Sequence, residues 1–547
     1  MKSLLLLPIL SLFSVPLFSQ VTEVLDKNNV SLVATADGQL FNDSVDAGYE
    51  IPKGSGINAI YNHSFWFGGL DANGQLRLAA ERYNENGQDD LFPGPYSSNN
   101  SYDDPYYLDE YIPAMWKVKL ADIEAHINEY SANGTVSNPH PSILNWPGNG
   151  DPAIGTASTL APFVDINNDG LYDPYDGDYP EIKGCEALYI MMNDSKDTTG
   201  GTGTPSMNIE VHVMLYQYAS TDFLNNTTFM DVRVINRGTE DLYDAVMASF
   251  ADADLGNYAD DYYGCDPVRN VFYTYNQDNL DEDFGFGGQG QGYGQNPPAI
   301  GIMYLNMPMT HAGYFTLTSA SSQADPSSAN QYWNYMNGKW RFGDDWVFGG
   351  TGFAGSTGAT TIPTDFIFPG ANDPMLISTG GVDPGFEWSE ETNNNPGGDR
   401  RMFGTCDLGT LPAGGEVEIH QAVVYGRGKT QNNFQNVQVM LSVADLVQSF
   451  HDFGADVCND PFASLNPVEE IEFSVYPNPS EGIFTVKLPS LSTGLSVQVT
   501  DVYGKLIHHS ALNSLETEIN LQDESAGLYF VTIVGNEVQS TVKLLIE

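Results

Sequence analysis

Apolar and polar residues alternate with period two through much of this chain. In residues 229–236 (FMDVRVIN), Met230, Val232 and Val234 share one face, and Asp231 and Arg233 share the other. In residues 207–218, Ile209, Val211 and Val213 line up the same way. Residues 65–67, the turn Asp71-Ala72-Asn73-Gly74 and residues 76–80 predict a hairpin. Helical spacing is confined to two stretches. One covers residues 121–130. The other covers residues 434–453, where Val437, Leu441, Ala444 and Val447 fall on one face and Gly454 follows as a stop. The prediction is a mainly β fold: a large antiparallel β-sandwich region with few helices over residues 20–458, as one sandwich or two packed ones. Glycine-rich runs at 284–295 and 349–358 predict long surface loops, and no clean internal repeat is visible.

The pattern changes near residues 459–470, which read as a linker. Beyond it come short strands at 483–488, 496–507, 517–521, 527–535 and 539–547. They predict a small immunoglobulin-like β-sandwich of seven strands over residues 471–547. This tail carries Tyr476-Pro477-Asn478-Pro479, a rigid turn, and then Gly482 and Phe484 entering a strand. Asp501-Val502-Tyr503-Gly504-Lys505 reads as a hairpin turn. Gly527-Leu528-Tyr529 and a final strand through Lys543 complete the order. Together these residues resemble the type A C-terminal sorting domain of the Bacteroidetes type IX secretion system. The resemblance implies outer-membrane passage through the type IX machinery, removal of the tail, and release of the cargo or its attachment to surface lipopolysaccharide. Residues 51–56 (IPKGSG), 68–71 (GGLD) and 146–150 (WPGNG) are similar to a group of uncharacterised exported proteins of the same bacteria, which brings no activity with it.

The N-terminus fits that route. Lys2, an apolar run over residues 4–13 too short to span a bilayer, and small Ser19 read as a signal peptide over residues 1–19. No later segment has the length and apolarity of a membrane span, so the protein is expected to be extracellular or on the outer cell surface. The chain has 71 Asp and Glu against 21 Lys and Arg, a formal net charge of −50. Such a surface repels nucleic acid and anionic lipid and favours divalent cations. Export permits disulfides, and the four cysteines allow three pairings. Proximity along the chain favours Cys185 with Cys265 and Cys406 with Cys458.

The strongest chemical motif is Asp165-Ile-Asn167-Asn-Asp169-Gly170-Leu171-Tyr-Asp173-Pro-Tyr-Asp176. Oxygen ligands at positions 1, 3 and 5, glycine at 6, a carbonyl at 7 and acids at 9 and 12 match calcium-loop spacing. Asp at position 12 departs from the EF-hand and is similar to dockerin and thrombospondin type 3 loops. Asp178 can replace or assist Asp176. The bland alternative is a turn stabilised by its own side chains. A weaker acidic cluster, Asp252, Asp254, Asp260, Asp261 and Asp266, follows a strand, and residues 278–283 form a third.

No catalytic motif is found. His-Glu-x-x-His and Gly-x-Ser-x-Gly are absent. Residues 426–430 lack the first glycine of a phosphate loop, and the cysteines lack zinc spacing. His212 and His420 sit in alternating strands as ordinary face residues. Tyr102, Tyr106, Tyr107, Tyr111 and Trp116, with residues 65–67 and 333–340, supply aromatic faces for sugar stacking or, more simply, core packing. Asp43-Ser44-Val45 and Asp197-Thr198-Thr199 resemble O-glycosylation acceptors. The reading is an exported, calcium-stabilised protein with an adhesive or glycan/protein-binding role. The alternatives are a secreted hydrolase of polysaccharide or protein and a structural surface-layer component.

Overall fold

The computed structural model describes residues 21–42, 47–83, 90–196, 200–283, 291–316, 321–453, 458, 473–489, 495–501, 506–512, 514–522, 525–535 and 538–546. Residues 1–19, read above as a signal peptide, both O-glycosylation candidates, Gly454 and Gly504 lie outside the described residues. The chain divides into two compact units, residues 1–459 and 460–547.

Two large antiparallel sheets make up the first unit. The ten-stranded sheet runs in the order Met309–Phe315, Arg401–Leu411, Leu242–Asp252, Asn62–Leu70, Gln39–Leu40, Ser31–Thr35, Tyr49–Glu50, Asn58–Ile60. Leu76–Ala80 pairs with Asn62–Leu70 through the expected hairpin, with Leu70 opposite Leu76. The nine-stranded sheet runs Asp261–Asp266, Val271–Asn276, Ala299–Tyr304, Glu416–Gly426, Thr228–Asn236, Ile209–Gln217, Glu186–Asn193, Phe92–Pro93, and Met115–Lys119 also pairs with Glu186–Asn193.

Alternation explains how the sheets stack, because successive side chains on a strand point to opposite faces. From the nine-stranded sheet, Leu188, Ile190, Val211, Val213, Met230 and Val232 join the core shared with the ten-stranded sheet. Their neighbours Ala187, Tyr189, Met191, Met214, Tyr216 and Phe229 enter a second core on the other face. The helix Asn433–Phe453 covers that face with Val437, Met440, Leu441, Ala444 and Val447. The sheets approach closely at Gly404, where a Cβ would stand 2.5 Å from the Phe272 ring.

The ten-stranded sheet is also covered on both faces. Trp66, Phe250, Phe315 and Phe403 form an aromatic layer, with Trp66 and Phe250 stacked at 5.2 Å. The helix Ala329–Met336 and the loops after it close over this layer with Tyr332, Tyr335, Trp340 and Trp346. Most of the aromatic residues weighed as a sugar platform are therefore core. Phe65, Trp66, Tyr102, Tyr107, Tyr111 and Trp340 are buried, Trp116 and Trp333 are half-buried, and Tyr106 is exposed.

Two helices appear where they were expected, Leu120–Asn133 and Asn433–Phe453. A third, Pro105–Tyr111, lies outside the two stretches with helical spacing: Asp104 caps it by accepting from the Tyr106 amide, and Pro105 occupies the first turn.

The disulfide differs from expectation. Cys185 is bonded to Cys458, with their Cα atoms 5.0 Å apart, while Cys265 and Cys406 are free and buried. Topology overrides proximity along the chain here. Cys265 lies in the nine-stranded sheet and Cys406 in the ten-stranded one. The last turns of the long helix lie over Tyr218 and Phe229, at the end of the sheet where Cys185 binds the Gln217 carbonyl, and this brings Cys458 back to Cys185.

Among the described residues, the second unit has seven strands in two sheets. Ser474–Tyr476, Ile483–Lys487 and Glu516–Asn520 form one, and Leu506–Ala511, Ser496–Asp501, Gly527–Gly535 and Val538–Ile546 form the other. Phe484, Val486, Val497, Val499, Ile519, Val531, Ile533 and Leu544 fill the space between them. Asn478 ties the Pro-Asn-Pro turn to the last strand: its amide donates to the Lys543 carbonyl at 2.6 Å and its carbonyl accepts from the Leu545 amide at 2.9 Å. Gly482 takes a left-handed φ of 92° before Phe484 enters the core, and Tyr529 is buried beside it.

Candidate metal centre

The loop at residues 165–178 winds tightly. Gly170 sits at φ 80°, and the two Asp165 oxygens accept from the amides of Asn168 and Gly170 at 2.7 and 2.8 Å. Asn167 accepts from the Asp169 amide and Asp169 from the Leu171 amide, at 2.9 and 2.8 Å. Asp173 caps the short turn Pro174–Asp176, and Asp176 stays exposed. Asp178 is fully buried, and its two oxygens accept from the Ile166 and Asp173 amides at 2.8 and 2.9 Å, so it clamps the two ends of the loop. The backbone thus has the sharp turn that calcium loops use. The free lone pairs of Asp165, Asn167, Asp169 and Asp176, with the Leu171 carbonyl, are the donors present.

A tighter convergence forms at one end of the ten-stranded sheet. Ligand oxygens of Asp252, Asp254 and Asp399 lie within 4.8 Å of one another. Asp252 ends the strand Leu242–Asp252 opposite Arg401, which begins the strand Arg401–Leu411, so the pairing register sets Asp399 beside it. Asp252 Oδ2 accepts from the Tyr83 hydroxyl at 2.6 Å and from Arg401 Nε at 3.4 Å. Arg401 also reaches Asp325 and Asp399, both at 3.2 Å, and Arg82 reaches Asp325 at 3.0 Å. Four carboxylates thus face two guanidiniums. Asp252 Oδ1 and Asp399 Oδ1 are buried and have no hydrogen-bond partner.

The electrostatics follow from that imbalance. Burial, opposed by Arg401, raises the Asp252 carboxyl. Burial and then the charges of Asp252 and Asp399 hold Asp254 well above the usual carboxylate range. Asp399 is pushed up to about 6, by burial first and the Asp252 charge second. A divalent cation bound here would remove this conflict by supplying positive charge to the buried oxygens.

The acidic character continues into the next loop. Asp260 rises to about 7 through burial and the neighbouring Asp281, and Asp281 rises to about 6 through burial. Burial holds Asp261 well above its ordinary range, and its Oδ1 also lacks a partner. The weaker cluster read from the sequence is therefore split. Asp252 and Asp254 join Asp399, and Asp260 and Asp261 face Asp281 from the third cluster. Asp266 stands apart, bonded to Arg269 at 2.8 Å. Asp261 and Asp266 occupy opposite ends of one six-residue strand and so cannot meet. Asp399 and Asp325 were missed, since a lone Asp far along the chain carries no local signal.

A second feature is an apolar recess of about 330 Å³ lined by Val21, Pro93, Tyr102, Tyr107, Leu108 and Ile112, with Asp37 and Lys196 as its charged groups.

Residues 474–547 match the secretion system C-terminal sorting domain family. The tail is a type IX sorting domain, and the chain is cargo that engages the type IX machinery for export to the cell surface or beyond. Among the described residues, no helix is long and apolar enough to cross a membrane. A comparison with curated proteins finds no match. Among solved structures, a polysaccharide lyase is similar at 10% identity and a TM-score of 0.18, over 62% of this chain and 34% of that one. The chain spans about a third of that structure's length, and a likeness this weak carries no argument about fold or activity.

Proposed function

We propose that the exported body is a calcium-stabilised binding protein, adhesive toward glycan or protein. The observation that supports this best is the pair of buried, partnerless oxygens on Asp252 and Asp399 beside Asp254. Calcium takes six to eight oxygens. Three carboxylates supply part of that shell, and Asp254 and Asp399 are only half-buried, so sugar hydroxyls or a peptide carboxylate can complete it from solvent. A second ion in the 165–176 loop, held by Asp165, Asn167, Asp169, Leu171 O, Asp173 and Asp176, would fix a segment with little regular structure. After tail removal the body is released or linked to surface lipopolysaccharide.

The test is calcium titration of the full chain by calorimetry, with glycan and protein arrays run with calcium and with chelator. Two calcium equivalents, one lost in Asp254→Asn and one in Asp169→Ala, with array binding that needs Asp254, is the expected result. Unchanged stability and binding after chelation would defeat the proposal.

One observation favours a hydrolase instead: without an ion, Asp399, pushed up to about 6, is a candidate proton donor beside Asp254, which burial and its neighbours' charges also raise. Turnover of a polysaccharide or protein that calcium suppresses would establish that reading.

A further inference from the structure

The outer face of the nine-stranded sheet carries a convergence that neither export nor calcium uses. Asp231 and His420 are directly opposite each other on neighbouring strands. Glu418 precedes His420 by two residues, so alternation places all three on the face covered by the helix Asn433–Phe453. One ligand atom from each lies within 4.8 Å of the others. Asp231 is buried, His420 is half-buried and Glu418 is exposed, so the group sits at the rim of the helix–sheet contact.

The last turn of the helix adds His451. Its Nε2 lies 2.8 Å from His420 Nδ1, and its Nδ1 lies 3.0 Å from Asp452 Oδ1, which Gln448 also donates to at 2.9 Å. This chain selects the tautomers. An ionised carboxylate only accepts, so His451 Nδ1 carries the proton. His451 Nε2 is then an acceptor, and His420 Nδ1 must donate to it. In a neutral ring His420 Nε2 then holds the lone pair. That nitrogen is buried without a hydrogen-bond partner and lies 3.3 Å from Glu418 Oε1. A second proton on the ring, donated to Glu418, satisfies this pair, and so does a metal ion bound between them in its place.

We propose that His420 Nε2, Glu418 and Asp231 form a binding site for a borderline divalent metal of the zinc class. One imidazole nitrogen with two carboxylates is a donor set suited to zinc rather than calcium, and three protein ligands leave one position open. Lys183 and Tyr216 donate to Asp231 at 2.6 and 3.3 Å, which orients the carboxylate and leaves lone pairs on it. The nearby Arg233 is engaged with Glu416 at 2.5 Å. His451 and Asp452 are positioning residues: they fix the ring and tautomer of His420, as the outer partners of metal-bound histidines do.

The experiment is a zinc titration of the full chain by calorimetry in saturating calcium, repeated with cobalt(II) and read by its visible absorption. The expected result is one equivalent of zinc that His420→Gln weakens at least about 100-fold and His451→Phe about 10- to 100-fold, with loss of the cobalt absorption in His420→Gln. Wild-type affinity in His420→Gln overturns the proposal, as does the absence of a stoichiometric zinc site in the wild type. If His420→Gln fails to fold, Glu418→Gln decides, since an exposed carboxylate is dispensable for packing. Weakened zinc binding in that variant supports the site, and unchanged binding refutes it.

Discussion

Asp399 offers a direct measure of how much the acidic end of the sheet needs a cation. Its carboxyl rises from an ordinary 3.8 to about 6 in the folded protein, through burial and the Asp252 charge. A folded value above the unfolded one means that the native state holds the proton more tightly. The stability this confers is complete below about pH 4 and is lost as pH rises through about 6. At 1.36 kcal/mol per pH unit, the loss above pH 7 is about 3 kcal/mol. It is an upper figure, because the side chain is 23% exposed and water screens part of the repulsion. Asp399→Asn keeps the shape and removes the charge. In calcium-free buffer at pH 8, the variant is expected to be more stable than the wild type by up to about 3 kcal/mol, and the two should converge near pH 4. With calcium at a thousand times its dissociation constant the order reverses, since the wild type gains about 4.1 kcal/mol that the variant cannot. Urea-unfolding midpoints followed by tryptophan fluorescence, at both pH values with and without calcium, supply the numbers. Equal midpoints at pH 8 without calcium would show that Asp399 carries no such repulsion, and an unaltered order with calcium would remove the ion from the account.

Three other outcomes are expected. Arg400 donates to the fully buried Glu390 from Nε and Nη2, each at 2.9 Å, so Arg400→Met should destabilise the protein by about 3–5 kcal/mol, with much of this recovered in the double variant with Glu390→Gln; a double-mutant cycle in urea measures it. Peptide mapping should link Cys185 to Cys458, a thiol reagent should find two reactive groups only after unfolding, and Cys458→Ser should lower stability by about 2–5 kcal/mol. Phe484, 1% exposed in the tail core, should cost about 3–5 kcal/mol when changed to Ala. A domain that small has little stability to lose, so fractionation should find the protein retained inside the cell, and normal surface display would argue against a folded tail as the sorting signal.

Some features were legible because they are local. The alternation in residues 229–236 specifies which side chains share a face of the strand, since period two follows from the backbone alone. The helix near residue 434, the hairpin at Asp71 and the turn at Gly170 are likewise set by residues within a few positions of one another. The tail was legible as a whole, because its short strands and fixed turns lie in one continuous stretch that the family match also covers. The aromatic residues were ambiguous for a physical reason. Trp66 reads the same whether its sheet faces water or, as here, a layer containing Tyr332 and Trp340, because a sheet covered on both faces loses the polar half of its pattern.

What the tertiary structure alone decided concerns residues brought together from far apart. The strand order places Arg401 opposite Asp252 and thereby adds Asp399 and Asp325 to a cluster whose first two members, Asp252 and Asp254, are separated by one residue. The path of the last helix joins Cys458 to Cys185 and carries His451 to His420. Alternation showed that Asp231 and His420 each lie on a face of their strands, but only the pairing register showed that they lie on the same face, side by side. Sequence determined this protein's destination, its class of fold and its local turns, because these depend on composition and short-range geometry. The meeting of its distant carboxylates and histidines depends on which strands are neighbours, and that is set by the packing of whole sheets against each other.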